Sequence, residues 1–87
     1  MNKELYIFSG LGADERVFQL LDFSGFSTTF IKWTPPIENE TIENYAERIL
    51  KQINTTKPTL IGLSFGGIIA IEVAKLIDTE KVIVIVF

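Results

Sequence analysis

The residues best placed to do chemistry are Gly62-Leu63-Ser64-Phe65-Gly66, a serine with glycine two positions before it and two positions after. A serine hydroxyl is presented for attack when a sharp strand-to-helix turn lifts it clear of the chain. Such a turn brings the flanking backbone so close that the neighbouring side chains must shrink to hydrogen. Gly62 and Gly66 meet that demand, and Gly67 lets a following helix lie close to a sheet. Beside the start of that helix, free N–H groups and the positive end of the helix dipole stabilise an oxyanion as it forms. A bare G-x-S-x-G also arises by chance, and then Ser64 is an ordinary helix N-cap and the glycines a tight turn. A second element favours chemistry: Ser9-Gly10-Leu11-Gly12-Ala13-Asp14 is a glycine-rich turn upstream, where a second oxyanion N–H would originate.

The elements that must position these residues are readable. Leu5 to Phe8 is a short apolar run closed by Ser9-Gly10, a buried strand and a turn. Asp14 can cap a helix carrying Val17, Phe18 and Leu21 at helical spacing and ending near Phe23 to Gly25. Thr28 to Trp33 is β-branched and aromatic and stops before Pro35-Pro36, which predicts a second strand with a rigid exit loop. From Thr41 as N-cap, Ile42, Tyr45, Ala46, Ile49 and Ile53 recur on one face of an amphipathic helix reaching Asn54. Thr59 to Leu63 is a third strand, Phe65 to Ile77 a helix apolar nearly all round and so expected to be buried on most faces, and Lys81 to Phe87 a fourth strand. Strands that alternate with helices and are continuously apolar imply an α/β domain of three layers, a parallel sheet with helices on both faces. No linker divides residues 1–87, so they form one domain.

Composition narrows the function. With 47% hydrophobic and 22% charged residues the chain is a folding sequence, although 87 residues bury only about 60% of their unfolded surface unless more chain or a partner covers the rest. The net charge of −3, with no basic cluster, excludes a nucleic-acid partner. There is no cysteine and no histidine, so disulfides, thiolate chemistry, the usual metal ligands and the commonest general base are all missing. No metal or cofactor is expected. Gly10-Leu11-Gly12 begins a dinucleotide pattern, but Glu15 takes the third glycine's place, and Ile68-Ile69 stand where a P-loop needs Lys and Ser or Thr. No stretch suits a signal peptide or a membrane span, so the expected location is the cytoplasm, without a membrane partner.

The chain resembles the central segment of α/β-hydrolase fold proteins, carried by Gly62-Leu63-Ser64-Phe65-Gly66 between strand and helix and by Ser9-Gly10 after the first strand. The resemblance covers essentially the whole chain and implies local strand order 2-1-3-4, with the Ser64 turn at the carboxyl ends of the strands. It implies Ser64 as nucleophile in an acyl-transfer reaction on a small-molecule ester, thioester or similar substrate. Leu11 and Phe65 would supply the oxyanion-hole N–H groups, with Gly10, Gly62, Gly66 and Gly67 as the elbow and loop glycines. Ser9 replaces the His that commonly opens the family's oxyanion loop. The family's acid and His would lie beyond these residues; Asp14, Asp22 and Asp78 fit caps and helix ends instead. The last apolar strand lacks a closing turn, so the chain is expected to be incomplete at its carboxyl terminus and to self-associate through that strand. The alternative is a truncated or degenerate hydrolase that acts as a binding or pairing module. Trp33, Pro35 and Pro36 would either wall a substrate pocket or simply pack on a rigid loop. Right-handed crossovers are expected to put the helix over 41–54 and the helix after Ser64 on opposite faces, and Ser64 at positive φ.

Overall fold

Apolar runs without polar alternation need cover on both faces, and a parallel sheet at the centre of the molecule meets that need. The computed structural model describes residues 3–10 and 22–86. They form β1 (Lys3–Phe8), β2 (Phe26–Phe30), α1 (Ile42–Leu50), β3 (Thr59–Leu63), α2 (Phe65–Ala74) and β4 (Lys81–Ile85). The strands lie in the order β2-β1-β3-β4, and every pairing is parallel. This is the strand order and the parallel α/β sheet expected from the sequence.

β3 is buried along its whole length, as a central strand flanked by β1 and β4 must be. Its neighbour β1 divides the core by alternation. Tyr6 and Phe8 point to one face, where they meet Ala46 and Ile49 of α1 and Ile69, Ala70 and Val73 of α2. Leu5 and Ile7 join Ile61 and Leu63 on the other, with Phe23, Phe26, Phe30 and Ile85 against them.

Both described helices therefore cover the same face, which corrects the expectation of opposite faces. The reason is direction. The connection from β2 to β3 passes over β1, and the one from β3 to β4 continues the same way across the sheet, so right-handed crossovers put α1 and α2 on one side. The helix expected between Asp14 and Phe23, and with it the second helical layer, falls on 11–21, outside the described residues. No helix among the described residues is long and apolar enough to cross a membrane.

Element boundaries differ where turns intervene. β2 begins at Phe26, because Gly25 at φ 86 turns the chain and its carbonyl takes the Lys3 N–H at 3.1 Å, setting Lys3 opposite Phe26. Thr41 does cap α1, its hydroxyl accepting the Asn44 N–H at 3.0 Å. α2 is apolar on all sides yet covered on one, leaving Ile68 49% and Ile71 43% exposed. At the sheet edge Ile83 and Val84 of β4 are 40% exposed, and β3 is their strand partner.

The position of α2 is set by backbone contact. A β-carbon on Gly66 would overlap the Phe8 carbonyl oxygen and stand 2.7 Å from the Ser9 carbonyl oxygen, whereas one on Gly67 would meet the Val84 Cγ1 methyl at 2.7 Å. Backbone cannot yield as a side chain does. Gly66→Ala is thus expected to lower stability by about 3 kcal/mol or more. Gly67→Ala should cost less, about 1 kcal/mol, because Val84 stands on an exposed edge strand and can shift. Urea denaturation midpoints of the two variants check this; equal losses would refute the backbone contact as the limiting one.

Candidate active site

β1 and β3 end level with each other, Phe8 standing opposite Gly62 in the register. The strand order reverses between β1 and β3, with β2 beyond β1 on one side and β4 beyond β3 on the other. Open parallel sheets hold their ligands at such a reversal of strand order. Ser9 and Gly10 lie on one side of it and Ser64 on the other.

Ser64 joins β3 to α2 with φ 53 and ψ −119. These are the dihedrals of the first central residue of a type II′ turn, a position glycine normally fills. Any other residue there carries strain on the order of 1–3 kcal/mol. The Ser64 side chain makes no capping hydrogen bond and is exposed, so it is not an N-cap in the ordinary sense. Its backbone is fixed instead: the Ser64 N–H donates to the Ile85 carbonyl at 3.1 Å, and the Ser64 carbonyl accepts the Gly67 N–H at 2.9 Å. Gly62 has no space for a side chain, since a β-carbon would stand 2.5 Å from the Gly67 α-carbon.

As the first residue of α2, Phe65 has no intrahelical acceptor for its N–H, which lies next to Ser64 at the positive end of the helix. The oxyanion expectation assigns one donor to this N–H. Gly10 is buried at the end of β1, and the Ser9 carbonyl abuts Gly66, so the loop after β1 starts within reach of the Ser64 turn. Leu11, the other expected donor, lies outside the described residues.

Trp33 comes to the same end of the sheet. Its indole N–H donates to Ser9 Oγ at 3.3 Å, and its ring lies 5.7 Å from the Phe65 ring and stacks on Tyr45 at 6.3 Å. Trp33, Pro36, Tyr45, Phe65 and Ile69 line a cleft of about 230 Å³ with Thr34, Glu40, Thr41 and Ile42 at its polar side and rim. Trp33 is at once a packed aromatic and a wall of the cleft. Pro36 lines the cleft too, while Pro35 lends its carbonyl to Arg48 at 3.1 Å.

Tyr45, Glu40 and Arg48 hold this cleft, and the sequence did not give their roles. The Tyr45 hydroxyl donates to the Thr34 carbonyl at 2.7 Å and accepts the Thr34 N–H at 3.2 Å. A tyrosine on the buried stripe of α1 was the available signal, since a buried phenol needs a polar partner. Arg48 grips Glu40 through two bonds, of 2.6 and 2.7 Å, while also reaching Thr34 Oγ1 at 3.2 Å. The Arg48 hydrogen bonds, helped by the Ile37 N–H, hold the Glu40 carboxyl down at about 2 against the ordinary 4.5. A depressed carboxylate stabilises the fold above its unfolded value and ceases to as pH falls through its folded one.

The expected outcome is a loss of stability between pH 4.5 and about 2 that Glu40→Gln lacks in the same window. Urea midpoints across that range measure it. Ser64→Gly, which removes the strain, should raise stability by about 1 kcal/mol, while Ser64→Ala leaves it within about 0.5 kcal/mol. If Ser64→Gly brings no gain, the turn is not strained. No protein-family model, curated protein or solved structure matches the chain, and what the site does rests on this geometry.

Proposed function

We propose that the chain is the nucleophile-bearing part of a serine hydrolase of the α/β-hydrolase type, acting on a small ester, thioester or similar acyl compound in the cytoplasm. One observation carries the reading: Ser64 occupies a backbone position suited to glycine while its hydroxyl is exposed and caps nothing. A tight turn alone would favour glycine there. Strain that persists in a turn fixed by backbone bonds on both sides is the mark of a functional position.

In this mechanism the Ser64 Oγ attacks the acyl carbonyl carbon as its proton passes to a base. The carbonyl oxygen takes the negative charge against the Phe65 N–H and a second N–H from the loop after Gly10. Collapse expels the alcohol or thiol, protonated by that same base, and water then releases the acid from the acyl-serine. The 87 residues contain no histidine, so the reading assigns the base and its acidic partner to sequence outside them.

Two measurements test this. The 87-residue chain should turn over a p-nitrophenyl ester no faster than its Ser64→Ala variant. The full product of its gene should be labelled by a fluorophosphonate probe at Ser64, and Ser64→Ala should abolish the labelling. A full product that ignores the probe, or Ser64-dependent burst kinetics from these residues alone, would sink the proposal in favour of a non-catalytic binding or pairing module.

A further inference from the structure

The cleft beside Ser64 has a composition that selects among acyl groups. Its walls are three aromatic rings, from Trp33, Tyr45 and Phe65, together with Ile69, Ile42 and Pro36. Phe65 joins it directly to Ser64, since neighbouring α-carbons lie about 3.8 Å apart. A group attached to a carbonyl held at Ser64 is therefore within a few bonds of the Phe65 ring. The volume of about 230 Å³ is below the ~300–1,000 Å³ of sites for drug-sized ligands. It exceeds the ~150 Å³ of an apolar cavity that holds one benzene. A volume of that size suits one ring.

Charge narrows the choice further. Among the described residues Glu40 is the one acid that lines the cleft, and both of its oxygens are taken by Arg48, with the Ile37 N–H on one of them as well. Arg48 in turn spends four of its five N–H donors on Glu40, the Thr34 hydroxyl and the Pro35 carbonyl. The pair is neutral, so neither member carries an unpaired charge to serve as counter-ion to a charged acyl group. A buried charge without a partner is strongly disfavoured.

We infer that this cleft is the acyl pocket of the Ser64 site and that it takes a compact, uncharged acyl group bearing a single aromatic ring, such as phenylacetyl. The inference rests on the catalytic reading of Ser64 for the word acyl, but the binding itself needs no chemistry at Ser64. Aromatic walls favour a ring over an aliphatic group of equal size, because offset and edge-to-face contacts add to the area buried. Ile42, half-exposed at the first position of α1 and lining the cleft, sits where a charge would spoil it without disturbing the core.

Trp33 is the only tryptophan in the sequence, so its fluorescence reports on the cleft alone. In Ser64→Ala protein, methyl phenylacetate should change that fluorescence saturably and bind about tenfold or more tightly than methyl acetate. It should also outcompete its ring-carboxylated analogue, and Ile42→Glu should weaken its binding about tenfold, with an unchanged urea midpoint as the control for folding. Equal affinity for methyl acetate, or indifference to Ile42→Glu, would overturn the pocket. Ring-selective binding in a protein whose full gene product escapes the fluorophosphonate probe would uphold the cleft and overturn the catalytic reading, so the two failures are separable.

Discussion

The contact between Gly66 and the backbone at the end of β1 is the constraint on which the rest of the structure depends. The space a β-carbon would occupy at Gly66 is filled by the carbonyls of Phe8 and Ser9. The first turn of α2 therefore rests on the end of a neighbouring strand as closely as peptide groups allow. That contact fixes the start of α2 against the end of β1 and leaves the chain a single residue, Ser64, in which to turn from strand to helix. The unusual dihedrals of Ser64 follow from the shortage of chain.

The site is built in two materials. The Ser64 turn is held by backbone: the β3 register with β1 and β4, the bond to Ile85 and the bond from Gly67. Strain survives only where the surroundings over-determine it, and here peptide groups do so on both sides. The cleft is held by side chains, through the Trp33 stacking, the Tyr45 hydroxyl and the Arg48–Glu40 pair. Side chains can be exchanged one at a time, whereas a glycine pressed against backbone has no substitute. Such a division lets the pocket vary under a turn that stays fixed.

What the sequence made legible was mostly backbone. β3 was readable to the residue, because Pro58 bounds it at one end and the Gly62–Gly66 motif at the other, and the same motif implied the positive φ of Ser64. Thr41 was readable as a cap because its hydroxyl acts locally. The face of α1 was misjudged although the expected strand order held, because α1 belongs to the crossover from β2 to β3, which runs in the same direction as that from β3 to β4. The start of β2 was misplaced because its register is set by Gly25 and Lys3, on different parts of the chain. Arg48 and Glu40 meet across the bend between a loop and α1 at a spacing no helical pairing rule describes. Their meeting is a tertiary fact.

The bond from the Ser64 amide to Ile85 ties the turn to the end of β4, the strand at the rim of the sheet. Rim strands open at lower free energy than the core, by fluctuations that leave most of the fold intact. A breath at that rim releases one side of the Ser64 turn and lets it relax toward ordinary dihedrals. Within these residues the Ser64 turn is therefore less durable than the core beside it: on warming it relaxes by fraying at β4 while β1 and β3 are still folded.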